Sequence, residues 1–386
     1  MKPLGVARAT AMAFALTMRF ARAMRFALAM AFALVMLAST ANAQRLFGTV
    51  VLANDRTPAG GAIIEATDAG GTIVARELAS GRGDYIMPLN SAGTYTLTAR
   101  RVGSEPEVMR GVVVAAGADV RARIILAHPT PRPARVTART DETCNVAGGT
   151  GVPALLWNQL QTALVSTSMA EQSRLFVGSW TLSQHIIDGN LRDTISRKQS
   201  AERLPIETSV MPTLSPDSAR RHGYVIEAPQ GVLYHVPGVT MLRSSRFVEA
   251  RCFAAEPAPA DQPGWIGVHF RPEVGRTGLS DVEGNVWFDA ATLEPQRLEF
   301  VYTGLPPTFA PARSGGSATF RRLATGHWVT DTWTIRVPSG RYYRMFEYDT
   351  RGVPSGAGNI ALIGVQSTTA TLQAVLVNGA TIYRRP

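Results

Sequence analysis

A regular alternation of short strand-like runs and turn residues between Arg45 and Leu126 is the feature that most constrains the fold. Gly, Pro, Asn and Asp separate the runs, as is typical of tight turns between β-strands. Seven short strands at this spacing predict a small β-sandwich. The predicted strands are Arg45–Leu52, Ala62–Thr67, Thr72–Leu78, Asp84–Pro88, Tyr95–Arg101, Met109–Val114 and Val120–Leu126.

Two turns of this stretch place a glycine shortly before a tyrosine, in Gly83-Asp84-Tyr85 and Gly93-Thr94-Tyr95. The glycine permits a tight turn, and the aromatic ring suits the centre of a sandwich. Together with Phe47-Gly48-Thr49-Val50 and Ile124-Ile125-Leu126, these turns resemble the carboxypeptidase regulatory-like domain, a transthyretin-like seven-strand sandwich. The resemblance implies a scaffold, adhesive or sugar-binding-like module of the bacterial cell envelope.

Motifs for enzymatic chemistry are missing from the sequence. A zinc carboxypeptidase needs His and Glu ligands at short spacing, and the chain has neither His-x-x-Glu nor His-Glu-x-x-His. It also has no Gly-x-Ser-x-Gly, no P-loop and no dinucleotide fingerprint. We therefore expect a non-enzymatic protein with no metal and no cofactor.

The first 43 residues have the pattern of a cleavable export signal. Basic residues precede an apolar run, Ala27–Leu37, and Ala41-Asn42-Ala43 is a small-residue cleavage site. The run is too short to span a bilayer as a mature helix, and a retained anchor is the alternative. We expect an exported mature chain from Gln44 without a transmembrane span, in the periplasm, outer-membrane-associated or extracellular. A start at Met24 would shorten the signal to an ordinary length.

The charge pattern argues against a nucleic-acid-binding protein. The formal net charge is +10, and five basic residues with no acid lie in residues 1–43, so +10 − 5 leaves +5 on the mature chain. The remaining basic residues are interleaved with acids, whereas nucleic-acid-binding proteins concentrate them in a patch. Hydrophobic residues at 45% and charged residues at 18% are ordinary for a folded protein, so we expect little disorder.

The chain has two cysteines, Cys144 and Cys252. In an exported protein, an isolated pair predicts a disulfide, and a free catalytic thiol is the alternative. Both cysteines follow a segment with Pro129, Pro131 and Pro133, which is typical of an extended linker between domains. The predicted organisation is a signal at 1–43, a sandwich at 44–127, a Pro-rich linker at 128–140 and a second domain at 141–386.

The second domain is predicted to be β-rich α+β, with one main helix and a large curved antiparallel sheet, so the whole chain is mainly β. Helical spacing of Leu155, Leu160 and Leu164 indicates a helix from Pro153 to about Ala170. Further predicted elements are a hairpin of Phe176–Ile187 and Leu191–Glu202, a short helix at Ser215–His222, and strands at Gly231–Val236, Arg246–Ala254, Gly264–Pro272, Gly284–Asp289, Gln296–Tyr302, Gly316–Leu323, His327–Val337, Arg341–Tyr348 and, as two or three strands, Ile360–Tyr383.

Four stretches of this domain resemble uncharacterised envelope proteins of Gemmatimonadota-type bacteria: Gly223-Tyr224, Ala250-Arg251-Cys252-Phe253, the run 284–289 and the run 298–302. Those proteins join a carboxypeptidase regulatory-like module to a C-terminal β-rich domain. Related sequences often have His before the second Cys, where this chain has Arg251. The hairpin formed by the last two runs is also similar to strands of LolA-like lipoprotein carriers, whose curved sheet cups an acyl chain.

Aromatic residues supply the candidate binding site of the second domain. Tryptophans on predicted strands, with few charges nearby, suit a hydrophobic, lipid or glycan ligand, and the alternative is that they fill a β-core. The candidate ligand-binding residues are Trp180, Trp265, Trp287, Trp328 and Trp333. Acidic candidates for hydrolysis are Asp281, Glu283, Asp289 and Glu299, for which a structural role is the alternative.

The sequence therefore predicts an exported, non-enzymatic envelope protein. Its sandwich would be a scaffold or binding module, and its β-rich domain would bind a hydrophobic or glycan ligand or an envelope protein partner. One alternative is a hydrolase of envelope glycans or peptides, which predicts titratable groups that meet in one cleft. Another is a purely structural or adhesive protein, which predicts no deep pocket.

Overall fold

The structure is a computed structural model of the chain. It describes residues 44–386 apart from 55, 128–135, 147–148, 173–175, 206–210, 229–230, 274–277, 306 and 344–358. The predicted signal at 1–43 and the prolines of the linker lie outside the described residues. The described chain is mainly β, with 55% of residues in strands and 13% in helices, which confirms the predicted fold class.

All seven predicted strands of the first module are present, with ends that differ by no more than two residues. They form two sheets, in the orders β4-β1-β7 and β3-β2-β5-β6, which pack as a sandwich. The strands are β1 Gln44–Leu52, β2 Ile63–Thr67, β3 Ile73–Leu78, β4 Asp84–Leu89, β5 Gly93–Arg100, β6 Glu107–Val114 and β7 Asp119–Leu126.

Alternation along these strands builds the core of the sandwich. In β4, for example, Tyr85, Met87 and Leu89 are buried, and the residues between them are exposed. Such a period of two places one set of side chains against the facing sheet. Tyr85 and Tyr95 are both 3% exposed and belong to this core, as the glycine–tyrosine turns predict.

Gly48 marks the closest approach within the sandwich. It lies in β1, which pairs in parallel with β7, and its register partner is Ala122. A Cβ on Gly48 would lie 1.7 Å from the Ala122 carbonyl oxygen and 3.2 Å from the Tyr85 ring. The Tyr85 hydroxyl donates to that same oxygen at 3.0 Å. Only glycine therefore leaves room for the tyrosine that ties β4 to β7.

The second region, residues 136–386, contains the predicted main helix, a long antiparallel sheet and several short elements. The helices are α1 Val152–Gln172, α2 Pro216–His222, α3 Val239–Leu242, α4 Ser245–Glu249 and the 3-10 helix η1 Pro307–Ala312. The strands are β8 Thr143–Cys144, β9 Phe176–Asp188, β10 Thr194–Pro205, β11 Val225–Ala228, β12 Gly231–Tyr234, β13 Arg251–Glu256, β14 Trp265–Pro272, β15 Asp281–Asp289, β16 Pro295–Thr303, β17 Gly315–Arg322, β18 Trp328–Tyr343, β19 Asn359–Val377 and β20 Ala380–Arg384.

Eleven of these strands form one sheet, in the order β10-β9-β19-β18-β17-β16-β15-β14-β13-β8, with β20 beside β19. Helix α1 packs on one face through Leu156, Trp157, Leu160 and Leu164, which are at most 2% exposed. Their spacing is that of one helix face, so the helix and sheet share a single large core. The short strands β11 and β12 form a separate hairpin.

Two predicted strands differ from the structure. Residues 246–254 were expected to be one strand, but α4 occupies the first half and only β13 is extended. Phe247 and Val248 of α4 and Phe253 of β13 are all buried in the same core, so a helix followed by a strand buries this apolar run. Residues 341–348 were expected to begin a new strand, but β18 continues without a break to Tyr343, and residues 344–358 lie outside the described residues.

Candidate ligand-binding cleft

A cleft of about 260 Å³ opens where α2, α3 and α4 meet the starts of β13 and β15. Serine 215 caps α2 by accepting from the Ser218 amide, and a proline follows it, as the predicted capping pattern requires. Most of the cleft wall is apolar, and its side chains come from elements distant in sequence. They include Pro216, Ala219, Tyr224, Met241, Phe247 and Pro272.

Arg251, the first residue of β13, is the main polar group of the cleft. It is only 4% exposed, although it carries a charge. Its Nη2 donates to Asp281 Oδ1 at 2.7 Å, and its Nη1 donates to the Val282 carbonyl at 2.9 Å. Among the described residues, its buried Nε has no hydrogen-bond partner. One donor of this buried guanidinium is therefore without an acceptor in the described part of the chain.

An aromatic stack holds this guanidinium in place. The Arg251 Cζ lies 4.1 Å from the centroid of the Phe247 ring, within the range of a cation–π contact. Phe247 in turn stacks on Trp157 of α1, with centroids 5.8 Å apart and an interplanar angle of 10°. This stack of Arg251, Phe247 and Trp157 connects the cleft to the main core of the second region.

The wall that carries Tyr224 is fixed by backbone hydrogen bonds. The Ser280 hydroxyl accepts from the Tyr224 and Val225 amides at 3.1 and 2.7 Å. His235 Nδ1 lies 3.2 Å from the Tyr224 carbonyl, and burial lowers the pKa of His235. Burial also raises the pKa of Tyr302, whose hydroxyl donates to the His235 carbonyl at 3.0 Å. Both shifts favour the uncharged side chain, so His235 and Tyr302 support this wall as hydrogen-bonding groups.

The disulfide predicted between Cys144 and Cys252 is present. It joins β8 to β13, where the two cysteines are register partners. Because Cys252 follows Arg251 directly, the bond anchors the strand that carries the main polar group of the cleft. The Arg271 guanidinium beside the cysteines pairs with Glu142, and its hydrogen bond lowers the pKa of that carboxyl.

Four of the five candidate tryptophans lie inside the protein. Trp180, Trp287, Trp328 and Trp333 are each at most 5% exposed. Trp265 is partly exposed and lines a separate groove with Pro257, Pro259 and Pro263, and the Arg297 Cζ lies 5.1 Å from its ring. The structure does not bring the five side chains to one surface. Their ligand role stays a prediction, and the burial of four of them favours the alternative of a β-core.

The acidic candidates also occupy different places. Asp281 binds Arg251 at the cleft, whereas Asp289 accepts from the Ala291 and Thr292 amides at 2.9 and 2.8 Å. Glu299 accepts from Trp287 Nε1 at 2.8 Å. Asp289 thus stabilises the turn that its sequence predicts.

Sequence reasoning missed the Arg251 cleft, because its residues come from five short elements. One local clue existed. Arg251 is the single charged residue of the run Ala250–Ala255, and the apolar residues around it predict burial. A buried arginine requires partners, and this requirement points to a site or an ion pair.

Within the described ranges, no three His, Cys, Asp or Glu side chains converge as ligands for a metal ion. No helix in the described part of the chain has both the length and the apolar character that a membrane crossing needs. The absence of a metal and of a cofactor stays a prediction.

Comparison with known families identifies the first module. Residues 45–127 match the family model of the carboxypeptidase regulatory-like domain. This match confirms the resemblance seen in the sequence, and the two packed sheets agree with it. These residues are thus a carboxypeptidase regulatory-like domain. No curated protein matches the chain.

Solved structures give only distant similarities. A type II cohesin–X-dockerin complex of Acetivibrio cellulolyticus is 16% identical, with a TM-score of 0.19, over 22% of this chain and 58% of that one. A proposed carbohydrate-binding protein of Bacteroides uniformis is 8% identical, with a TM-score of 0.20, over 61% and 92%. A DUF3823 family protein of Bacteroides ovatus is 11% identical, with a TM-score of 0.19, over 59% and 91%. Scores this low support no conclusion about shared fold or function.

Proposed function

We propose that this chain is an exported, non-enzymatic binding protein of the cell envelope. In this proposal the carboxypeptidase regulatory-like domain is the scaffold, and the Arg251 cleft of the second region binds a small hydrophobic ligand that carries an oxygen acceptor. The proposed boundaries are those expected from the sequence, with cleavage before Gln44 and a linker at 128–140.

The observation that carries this proposal is a buried arginine in an apolar cleft, whose Nε has no acceptor among the residues that the structure describes. Burial of a donor without an acceptor costs about 1–3 kcal/mol, and more for a charged group. A carbonyl, hydroxyl or carboxylate oxygen of a ligand would remove this cost at Arg251. The apolar wall would gain from contact with the remainder of the ligand.

The size of the cleft sets the size of the ligand. A volume of about 260 Å³ is slightly below the range of about 300–1,000 Å³ that is usual for whole small-molecule sites. The cleft therefore suits a small molecule, or one apolar group of a larger lipid, peptide or glycan.

A hydrolase is the second candidate, because Glu273 and Asp281 both line the cleft. Two carboxylates in one cleft are the usual requirement of glycoside hydrolysis. Asp281, however, already accepts a hydrogen bond from Arg251, and this interaction supports a positioning role for its carboxylate.

Native mass spectrometry of the mature chain from Gln44, purified from an oxidising periplasm, tests the binding function. We expect an adduct of defined mass. Ala250→Trp should abolish it, because Ala250 is an exposed residue of the cleft and an indole there would fill the opening. Ala116→Trp is the matched control, since Ala116 is an exposed alanine in the turn between β6 and β7.

The result that would overturn this function is an adduct that survives Ala250→Trp. Titration with the apolar dye anilinonaphthalene sulfonate gives a second measurement, in which Ala250→Trp should reduce the fluorescence increase and Ala116→Trp should not. Turnover of envelope glycans or peptides by the wild-type chain, lost in Glu273→Gln, would instead favour the hydrolase.

A further inference from the structure

The carboxypeptidase regulatory-like domain and the second region meet at a close contact. Val102 packs against Ala163 of α1 and Trp328 of β18, and all three are buried. The Gly103 amide donates to Gln159 Oε1 at 2.8 Å. This contact brings the loop after β5 against the second region.

Two glycine backbones touch beside this contact. A Cβ built on Gly61 would lie 2.8 Å from the Gly326 Cα, so neither position has space for a side chain. Gly61 has a φ of +78° and Gly326 a φ of +89°, which glycine adopts without strain. Bare backbone therefore forms one wall of the space next to them.

That space is a cavity of about 330 Å³, separate from the Arg251 cleft. Arg101 reaches it from the end of β5, and Arg322 reaches it from the end of β17. The rest of the lining consists of three glycines, Gly60, Gly81 and Gly326, and the apolar residues Pro58, Leu323 and Ala324. The cavity is thus built by both regions of the molecule, with one arginine from each.

The charges in this junction cavity are not balanced. Arg322 pairs with Glu294 at 3.1 Å, whereas Arg101 donates to the Gly60 and Val102 carbonyls, at 3.2 and 3.4 Å, and pairs with no carboxylate of the described residues. Two cations therefore face one anion. Burial, and secondly the charge of Arg322, lower the pKa of Arg101, whereas the charge of Glu294 raises it.

We propose that the junction cavity binds an oxyanion of the phosphate or sulfate type, with Arg101 and Arg322 as its two cationic ligands. This site goes beyond the proposed function and does not depend on it. A tetrahedral oxyanion presents separate pairs of oxygens to two guanidinium forks, whereas the two oxygens of a carboxylate are occupied by one fork. The glycine wall allows the anion to approach main-chain atoms closely.

The cavity is larger than an inorganic ion, so it suits a phosphate or sulfate group on a larger molecule. Because the two arginines come from different regions, binding would strengthen the contact between those regions. A ligand that binds only the assembled form raises the stability of that form by mass action.

Thermal unfolding of the mature chain in sodium phosphate, sodium sulfate and sodium acetate, at constant ionic strength against chloride, tests this site. We expect phosphate or sulfate at about ten times its Kd to raise the unfolding midpoint by about 2–6 °C. Acetate should have less effect. An acetate effect equal to that of phosphate and sulfate would overturn the choice of a tetrahedral anion.

Variants at the two arginines sharpen the test. Arg101→Gln and Arg322→Gln should each weaken anion binding by about tenfold or more, because each removes a charge-assisted hydrogen bond. Arg121→Gln is the matched control, because the Arg121 side chain is exposed on β7, and this variant should bind like the wild type. Glu294→Gln should bind more tightly, since it removes the competing carboxylate.

Lysine variants keep the test valid where a glutamine variant does not fold. Arg101→Lys and Arg322→Lys retain the charge but not the fork, so we expect intermediate affinity. An unchanged midpoint in both phosphate and sulfate, or an equal rise in Arg101→Gln and in wild type, would overturn the proposal.

Discussion

The carboxypeptidase regulatory-like domain and the second region differ in how fully their buried polar groups are hydrogen-bonded. In the former, Glu65 is paired with Arg76 and Arg100, and the Tyr85 and Tyr95 hydroxyls donate to carbonyls at 3.0 and 2.6 Å. A buried hydroxyl without a partner is found there at Ser104, in the loop that reaches the second region.

In the second region, by contrast, Arg251 Nε, Trp157 Nε1 and Trp180 Nε1 are buried without a hydrogen-bond partner among the described residues. Unsatisfied donors of this kind cost stability, so a native protein tends to keep them where a ligand or a structural demand compensates. The difference indicates that, apart from Ser104, the buried polar groups named in the former module are partnered, whereas these donors of the second region lack an acceptor among the described residues.

Removal of the disulfide should give the largest difference between the two regions. Its cysteines are 108 residues apart, and closure of a loop of this length contributes about 4–5 kcal/mol in chain-entropy models. We expect Cys144→Ala with Cys252→Ala to lower the stability of the second region by this order. Peptide-resolved hydrogen exchange measures each region separately, and all six tryptophans lie in the second region, so their fluorescence follows its unfolding. An equal loss in residues 44–127 would mean that the two regions unfold as one unit.

Replacement of Arg251 by methionine should have the next largest effect. Loss of one partner from a buried ion pair costs about 3–5 kcal/mol, because the Asp281 carboxylate would stay buried without Arg251. Adding Asp281→Asn should recover a large part of this loss in urea unfolding. Arg246→Met is the matched control: Arg246 pairs with Asp217 at the surface, so we expect a change of about 0–1 kcal/mol. Equal losses in the two methionine variants would contradict the difference in burial.

Gly48→Ala tests how tightly the carboxypeptidase regulatory-like domain is packed, through its effect on the stability of that domain. The added Cβ would lie 1.7 Å from the Ala122 carbonyl oxygen, so β1 and β7 must separate. We expect a loss near the upper end of the range of about 1–3 kcal/mol for overpacking, with faster exchange confined to residues 44–127. Gly93→Ala is the control, because its Cβ would be 3.6 Å from the Tyr95 ring, an ordinary contact. A small effect of Gly48→Ala would mean that the parallel pairing is looser than described.

A fall in pH from 7 to 4.5 should lower the stability of the second region through a histidine that the first module lacks. Burial lowers the pKa of His327 to about 4, from an ordinary value of 6.5, and residues 44–127 contain no histidine. Because the unfolded chain takes up this proton before the folded one, stability is fully present above pH 6.5 and declines as the pH falls toward 4. His327→Gln should flatten the dependence of the urea midpoint between pH 7 and 4.5. His222→Gln, at an exposed position, should leave the slope unchanged, and identical slopes in all three proteins would contradict a role for His327.

Local patterns predicted most of the secondary structure. Seven strands of the first module, the helix that begins near Pro153 and the hairpin around Asp188 follow from periodicity and turn residues, because these act over a few positions. The prediction failed at residues 246–254, where the same apolar run is compatible with a strand and with a short helix. Tertiary packing of Phe247 on Trp157 decides between them.

The amino-acid sequence by itself determined the family of the first module, the disulfide and the identity of most strands. Tertiary structure alone decided which distant residues meet. Arg251 binds Asp281, which is thirty positions away in the sequence, and Arg101 and Arg322 line the same cavity at the contact between the two regions. It also decided that five of the six tryptophans are buried. The physical reason is range: turns and strand periodicity arise from neighbouring residues, whereas a cleft arises only when distant segments are packed together and the entropy cost of closing the chain between them has been met.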